Sequence, residues 1–375
     1  VREGDRLTMG TPVNAVVAGT PDYSAERDSL HVRKPCAFSG KNAPLRRDNG
    51  RMRSPTFLQL HHEDRAAVRA ELMAGLAAPA AHIAPKYLYD ALGSRLFDAI
   101  TELPEYYPTR TERDLLAACS GRIVEAAGHP AHIVELGSGS ARKTALLLEA
   151  GLAFRPDLAF HPIDVSEEAL RDARVQLAAR LPGLRVDPVL GHYLPALETL
   201  AGLEGPRLVL FMGSTLGNFT PPEAVAFLRG LRARLRPEDR FLLGLDLAKD
   251  PSILVPAYDD AAGVTAAFNL NLLARLNREL GADFHLGAFR HVALWNAPEH
   301  RIEMHLESLR PQVVTIPALG LRLAFEAGER IHTENSTKLP PQAVTRLLVE
   351  GGFAEEASWE DDRGWFTLRL TRPAA

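Results

Sequence analysis

The residues of this chain whose types and spacing could do chemistry begin at 134–140, which read V-E-L-G-S-G-S. An apolar strand that ends in a glycine-rich turn and opens a helix suits a nucleoside-carrying ligand, because glycine lets the backbone approach the ligand closely. The dinucleotide fingerprint G-x-G-x-x-G fails, because Arg142 stands at the third glycine, and no P-loop lysine follows. The alternative to a ligand site is a structural tight turn.

An acid follows at the end of the next predicted strand. Asp164 lies 27 residues after Gly137, and an acid in this place typically holds a ribose diol in doubly wound folds. Asp164 could instead cap the next helix, although Ser166 is the better cap. Glycine loop and acid together favour an S-adenosylmethionine site over a dinucleotide site. Lys143, in the first helical turn, could reach the carboxylate of the methionine moiety or be solvated.

The elements that must position these residues alternate between strand and helix from residue 131 to residue 247. The pattern predicts strands at 131–136, 158–165, 207–212 and 239–247, and helices after the glycine loop, at 166–181 and at 223–235. Such alternation predicts a parallel sheet with right-handed crossovers.

The chain outside this stretch follows other patterns. Apolar spacing predicts helices at 64–78, within 86–116, at 111–128, at 256–280 and at 340–351. Strands are predicted as a pair in 291–309 with a turn at N-A-P-E-H, in 313–325, and at 365–371. We therefore expect residues 256–340 to contain an insertion or a small second domain between parts of one sheet.

Composition excludes several classes of protein. The 375 residues are 46% hydrophobic and 24% charged, with a net charge of −4, which indicates a globular protein without a nucleic-acid partner. No apolar run is long enough for a transmembrane helix. Two cysteines, Cys36 and Cys119, build neither a disulfide framework nor a zinc cluster, and they fit a reducing cytosol. We expect a cytoplasmic protein, a monomer, with a disordered leader over residues 1–56.

Seven segments together resemble a known family, the histidine Nα-methyltransferases of ergothioneine biosynthesis, whose relatives include tryptophan Nα-methyltransferases of fungal alkaloid pathways. The resemblance covers roughly residues 58–372. The segments that carry it are KYLYDALGSRLFDAITELPEYYPTRTE (86–112), VELGSGSARKT (134–144), LFMGSTLGNFTP (210–221), PAYDDAAGVTAAFN (256–269), FRHVALWN (289–296), IEM (302–304) and HTENSTKL (332–339).

The resemblance implies an α/β fold: a Rossmann-like class I methyltransferase sheet with a smaller α+β substrate-binding domain, and the active site between them. The implied divisions are an N-terminal helical part of the substrate domain (57–118), the methyltransferase core (119–250), the substrate-domain insertion (251–340) and a C-terminal part that completes the fold (341–375).

The resemblance also implies roles for single residues. The cofactor S-adenosyl-L-methionine would be lined by Tyr89, Gly137, Lys143 and Asp164. The α-amino and carboxylate ends of the substrate L-histidine would be held by Tyr106, Asn218 and Tyr258. Its imidazole would meet Glu334 and Ser336 beside Met304. The loop that carries Asn218 would be shaped by Gly213 and Thr215.

One position departs from the family pattern. Where the family commonly has an acidic-aromatic pair against the adenine, this chain has His192 and Tyr193. Tyr193 can still stack on the adenine and is counted with the cofactor residues, whereas the adenine amino group would need another partner, such as the backbone.

The expected reaction is an in-line displacement at the sulfonium methyl by the neutral α-amine. A free α-amino group has a pKa near ~8, so no strong base is required, and the site mainly has to position the nitrogen. Water or the hydroxyl of Tyr89 could accept the protons. The resemblance implies three transfers, which give hercynine, and no metal.

Two alternatives remain open at this point. Another amino acid, above all tryptophan, could be the substrate; Glu334 beside Met304 favours histidine, because an acid suits a ring with N–H groups whereas an indole favours a smaller or apolar neighbour. The chain could also be a non-catalytic methyltransferase-like subunit, against which the glycine loop, Asp164 and Asn218 argue.

Overall fold

The computed structural model describes residues 15–17, 58–59 and 65–374. Their strands form one large sheet and two smaller ones. All of these residues belong to one compact unit. The strands are, in chain order, β1 (Ala15–Val17), β2 (Leu58–Gln59), β3 (His132–Leu136), β4 (Ala159–Asp164), β5 (Arg185–Val186), β6 (Val189–Leu190), β7 (Arg207–Phe211), β8 (Arg240–Asp246), β9 (Phe289–Asn296), β10 (Arg301–Ser308), β11 (Gln312–Ile316), β12 (Leu321–Phe325), β13 (Arg330–Thr337), β14 (Phe353–Glu360) and β15 (Phe366–Pro373).

Helices cover the sheets and connect their strands. They are α1 (Arg65–Leu76), α2 (Ala91–Thr101), α3 (Tyr107–Ala126), α4 (Thr144–Phe154), α5 (Glu167–Arg180), α6 (Tyr193–Thr199), α7 (Pro221–Arg232), α8 (Pro251–Leu254), α9 (Val264–Leu280) and α10 (Pro341–Glu350). Local sequence explains their starts. The Ser166 hydroxyl accepts a hydrogen bond from the backbone N–H of Ala169, 3.2 Å away, at the start of α5, and Thr220 and Glu223 form a capping box at α7.

Nine of the described strands form one sheet with the order β14-β15-β8-β7-β3-β4-β6-β2, and β5 pairs with β4 beside this path. The pairs β3·β4, β3·β7 and β7·β8 are parallel, whereas β15 is antiparallel to both β8 and β14. The strand order reverses at β3, between β4 and β7. Ligands of open α/β sheets bind at the carboxyl ends of the strands at such a switch point.

Between β8 and the closing pair β14·β15, the chain builds two smaller sheets, one of which is extended by β1 from the N-terminal region. Their orders are β13-β10-β9 and β1-β12-β11, and both are antiparallel. Apolar residues of these sheets pack with α1, α2 and α9 in one core, while two further cores lie against the large sheet.

The α/β fold with a Rossmann-like parallel sheet is confirmed, and so are the alternation of strands and helices from β3 to β8 and the antiparallel pair within 291–309. The helix predicted over 256–280 is wrong in its first part: α8 and a short 3-10 helix, Val255–Ala257, precede a turn, and α9 begins only at Val264. Asp260 makes the turn, because its carboxylate accepts hydrogen bonds from the backbone N–H groups of Val264 and Thr265. The predicted leader lies outside the described residues except for 15–17, and the proposed domain boundaries stay predictions.

Candidate active site

The glycine loop after β3 lies against the end of β4. Gly137 and Gly139 have φ values of +74° and +48°, a region that disfavours side chains. The backbone N–H of Gly139 donates to Asp164 Oδ2 at 3.0 Å, and that of Gly137 donates to the carbonyl of Ile163 at 2.8 Å. The structure therefore brings together the loop and the acid that the sequence singled out.

Two carboxyl groups, the half-buried Asp164 and the buried Glu135, lie at the same edge of the sheet. Burial raises the pKa of Asp164, against the backbone N–H groups of Ser166 and Gly139 that lower it. Glu135 is 3% exposed; its Oε1 accepts from Thr144, and its Oε2 has no hydrogen-bond partner among the described residues. Desolvation raises the pKa of Glu135 to about 8. An unpartnered carboxyl oxygen beside a glycine loop fits a polar ligand such as S-adenosylmethionine.

Tyr193 lies over this loop. A Cβ at Gly137 would be 3.1 Å from the Tyr193 hydroxyl, so a side chain here would crowd the tyrosine ring. The ring packs edge-on against Phe211, with 5.4 Å between the centroids. The expected stacking residue is therefore next to the loop, at the first residue of α6.

Lys143 has a partner that the sequence analysis missed. Its ammonium pairs with Glu112, which is 0% exposed, and Glu112 Oε1 accepts from the backbone N–H of Gly213 at 2.8 Å. Glu112 thereby joins α3 to two predicted site loops. Its position within the motif PTRTE (108–112) was the available signal, but nothing local indicates that this acid is buried.

The loop after β7 turns sharply before it reaches Asn218. Gly213 and Ser214 both have positive φ, +72° and +59°, and the 3-10 helix Thr215–Asn218 follows. A Cβ at Gly217 would lie 2.9 Å from the carbonyl oxygen of Thr337 on β13. This close approach seats the Asn218 loop against β13.

Three predicted tyrosines belong to one aromatic group. Tyr89 packs edge-on against Phe97 and Phe268, each with 5.5 Å between centroids, and Tyr106 lies 6.1 Å from the ring of Tyr258. Desolvation, with Glu334 next in effect, raises the pKa of Tyr89 well above its ordinary value, although 37% of the residue is exposed. Since Tyr89 stays protonated, it can donate or accept a hydrogen bond but cannot act as a phenolate base.

The polar face of β13 supplies the remaining predicted residues. Glu334, which is 8% exposed, lies opposite Met304 in the β10·β13 pair, and its Oε2 has no partner among the described residues. Desolvation raises the pKa of Glu334 to about 7, against the opposing charge of Lys338. The hydroxyl of Ser336 lies 2.7 Å from that of Tyr258. The carboxylate of Glu334 and the hydroxyl of Ser336 thus lie two residues apart on one face of β13.

Buried ion pairs behind these residues also escaped sequence reasoning. Lys338 is fully buried and lies 2.8 Å from Asp246 Oδ2, while Lys249 lies 2.5 Å from Asp246 Oδ1. Tyr107 donates to the same carboxylate at 2.6 Å. Lys338 continues the alternation of Glu334 and Ser336, a signal present in the sequence, whereas its partner Asp246 lies 92 residues earlier in the chain.

A separate cluster, of residues that the sequence analysis did not select, lies on strands β10 and β13. Glu303, His305 and His332 offer atoms that lie within 4.8 Å of one another, a proximity that the sequence spacing did not predict. Oε1 of Glu303 already accepts hydrogen bonds from Asn296 and Arg301. The side-chain partners of Glu303 thus account for its position, and the expectation of no metal stays a prediction.

The described residues contain no helix with the length and apolar character that a membrane span requires.

The fold and the site together define an S-adenosylmethionine-dependent class I methyltransferase. The defining features are the glycine loop at the switch point after β3, the acid at the end of β4 and the antiparallel strand β15 beside β8. The chain belongs to the family of histidine-specific, S-adenosylmethionine-dependent methyltransferases, whose sequence model matches residues 68–373.

Named relatives are similar over most of the chain. It is 48% identical over 304 residues to the histidine N-alpha-methyltransferase of Mycolicibacterium smegmatis, and the matched region covers 81% of this chain and 94% of that protein. It is 44% identical over 305 residues to the protein of the same name from Mycobacterium tuberculosis, with the same two coverages. Ergothioneine biosynthesis protein 1 of Neurospora crassa is 30% identical over 279 residues, 72% of this chain and 31% of that protein.

Proposed function

We propose that this protein transfers methyl groups from S-adenosyl-L-methionine to the α-amino nitrogen of L-histidine. The observation that carries the proposal is the pairing of Glu334, a buried carboxylate with a free oxygen, with the Ser336–Tyr258 hydroxyl pair. A neutral imidazole offers one N–H donor and one acceptor nitrogen. The two β13 groups can satisfy both. Family membership and the named relatives support the same substrate.

Each predicted residue has a role in this proposal. The cofactor is lined by Gly137, Asp164 and Tyr89, with Tyr193 over the loop and Lys143 near the cofactor's carboxylate. The substrate's amino and carboxylate groups are held by Tyr106, Asn218 and Tyr258. Its ring meets Glu334, Ser336 and Met304.

The chain's residues act mainly by positioning. S-adenosylmethionine supplies an electrophilic methyl group on its sulfonium, and the nucleophile is the neutral amine of the substrate. The amide of Asn218 and the tyrosine hydroxyls orient the amine toward the cofactor without a fixed charge, which is the contribution that proximity makes to such a transfer. Tyr89 remains protonated, so water takes up the released protons directly or through the Tyr89 hydroxyl.

Three successive transfers give hercynine, the trimethylated betaine, and place the reaction in ergothioneine biosynthesis. We infer a cytoplasmic location, because Cys119, the cysteine among the described residues, is a buried free thiol, and free thiols persist in a reducing compartment. The monomeric state stays a prediction that size-exclusion chromatography with light scattering tests.

The test of the substrate compares initial rates on histidine and tryptophan, measured as S-adenosylhomocysteine release. We expect kcat/KM for histidine to exceed that for tryptophan at least about 100-fold, because indole has no acceptor nitrogen for the hydroxyl pair. A preference for tryptophan would overturn the assignment of Glu334 and Ser336 and leave the methyltransferase fold intact.

The non-catalytic alternative is tested by thermal unfolding with S-adenosylhomocysteine. A ligand that binds only the folded state raises the unfolding temperature as its concentration exceeds Kd. We expect such a shift. No shift at millimolar ligand would favour a scaffold role.

A further inference from the structure

Lys338 is buried among groups that use all of its hydrogens. Its ammonium is fully buried and lies 2.8 Å from Asp246 Oδ2, 2.8 Å from the Tyr258 hydroxyl and 2.9 Å from the Ser336 hydroxyl. An ammonium has three N–H donors and no acceptor. All three donors are therefore engaged, one on the large sheet and two on proposed substrate residues.

A buried ammonium group is strongly destabilising unless an opposite charge pairs with it. Asp246 supplies that charge from the end of β8, and it is held in turn by Lys249 and by Tyr107. Lys338 consequently has one position, fixed from the methyltransferase sheet, from which it contacts the hydroxyl pair.

The contacts of Lys338 determine how the hydroxyl pair can bond. Each hydroxyl, of Ser336 and of Tyr258, must accept a hydrogen bond from Lys338. The two hydroxyls are also 2.7 Å apart, so one of them donates to the other. Of their two hydrogens, one is used within the pair and one is left to donate to a ligand. The pair therefore presents a donor to the substrate.

Resting on the histidine methylation proposed above, we propose that Lys338 is a positioning residue that sets the substrate specificity of the site. By donating to both hydroxyls, Lys338 occupies one lone pair on each of them, so the hydrogen that is not used within the pair must point away from Lys338. Glu334 presents an acceptor beside it. The combination matches a ring with one N–H and one acceptor nitrogen. A ring with only an N–H would leave the outward hydroxyl unpaired, which a buried site strongly disfavours.

The test substitutes methionine, which has a similar length and no donor, in the variant Lys338→Met. The control is Lys249→Met, which removes a charge from the same carboxylate but leaves the hydroxyl pair untouched. Each protein is assayed on histidine and on two analogues, 3-(pyrrol-2-yl)alanine and 3-(pyrrol-3-yl)alanine. Both analogues keep a ring N–H and lack the acceptor nitrogen. The readout is the ratio of kcat/KM for histidine to that for the better isomer, because a ratio does not depend on the active fraction.

We expect Lys338→Met to lower this ratio about 10- to 100-fold relative to the wild type, because the freed hydroxyls can reorient, and Lys249→Met to leave it within about twofold. A Lys338→Met protein that is stabilised by S-adenosylhomocysteine and keeps the wild-type ratio overturns the inference. An equal loss in Lys249→Met also overturns it, because the effect would then be one of charge alone.

If Lys338→Met does not fold, the triple variant Asp246→Asn, Lys249→Met and Lys338→Met removes the carboxylate together with both of its lysine partners, which costs less than stranding one of the charges. The same loss of ratio is expected, and an unchanged ratio overturns the inference. A wild-type protein that does not methylate histidine overturns the proposed function and this inference together. A wild type that does methylate it, with a ratio insensitive to Lys338, overturns the inference alone.

Discussion

The glycine-loop edge and the polar face of β13 build their sites from different parts of the chain. At the loop, backbone groups form the site: the N–H of Gly139 donates to Asp164, and the positive φ angles of Gly137 and Gly139 shape the turn. On β13 the contacts run between side chains: Ser336 contacts Tyr258 and Lys338, and Lys338 pairs with Asp246.

The difference separates a general function from a particular one. Backbone donors at a switch point fit any nucleoside-carrying cofactor, and they depend on local conformation alone. Side chains on a strand face can change without altering the strand, so they suit the recognition of one substrate. We therefore expect substitutions in the two regions to have separable effects on cofactor and substrate.

The largest expected effect comes from the cofactor edge. Asp164→Ala removes the acceptor of the Gly139 N–H together with the proposed ribose ligand. We expect S-adenosylhomocysteine to bind about 100-fold more weakly, measured by calorimetry. Asp172→Ala, an exposed position on α5, is the matched control. Unchanged binding in Asp164→Ala would contradict the cofactor assignment.

The next effect concerns the substrate alone. Glu334→Gln keeps the size of the side chain and removes its charge, so kcat/KM for histidine should fall about 10- to 100-fold. Cofactor affinity should stay within about twofold. Equal losses for cofactor and substrate would show that the two regions are not separable.

A smaller effect is expected where the two regions meet. Gly217→Ala puts a Cβ within 2.9 Å of the Thr337 carbonyl oxygen, which pushes the Asn218 loop from β13. We expect KM for histidine to rise about 3- to 10-fold, with unchanged cofactor affinity. Gly121→Ala on α3, where a Cβ meets nothing within 4 Å, is the control. An unaltered KM in Gly217→Ala would argue against substrate contact by this loop.

The smallest effect is on stability, and its sign differs between two neighbouring acids. Burial raises the pKa of Glu334 from 4.5 to about 7. Ionisation of Glu334 therefore destabilises the folded state above pH 7, and this destabilisation disappears as the pH falls toward 4.5. Hydrogen bonds from Asn296 and Arg301 outweigh desolvation and lower the pKa of Glu303 to about 2. Its stabilisation is thus present above 4.5 and lost as pH falls through about 2.

Thermal unfolding checks this contrast. At pH 8, Glu334→Gln should unfold at a temperature higher by about 2 °C or more, and Glu303→Gln at a lower one. The gain in Glu334→Gln should shrink toward pH 5. A gain that is the same at both pH values would mean that ionisation of Glu334 is not its cause.

Sequence patterns predicted the region whose physics is local. Strand β3, its glycine loop and Asp164 follow from apolar runs and glycine spacing, and Ser166 is the helix cap that was expected. Glu112 and Asp246 could not be predicted in this way, because their burial and their partners Gly213 and Lys338 depend on tertiary packing.

The same limit applies to the substrate side. The resemblance supplied Glu334, Ser336 and Tyr258, which the structure brings close together, but it did not indicate what holds them. The turn at Asp260 that interrupts the predicted helix over 256–280 also comes from side-chain hydrogen bonds to backbone N–H groups, which apolar periodicity does not register.

The central claim is tested most directly by mass spectrometry of an incubation that contains the protein, S-adenosylmethionine and an equimolar pool of the twenty amino acids. We expect histidine alone to gain mass, in one to three methyl steps with the trimethylated betaine as the final product. Methylation of a different amino acid, with histidine unmodified, would contradict the claim.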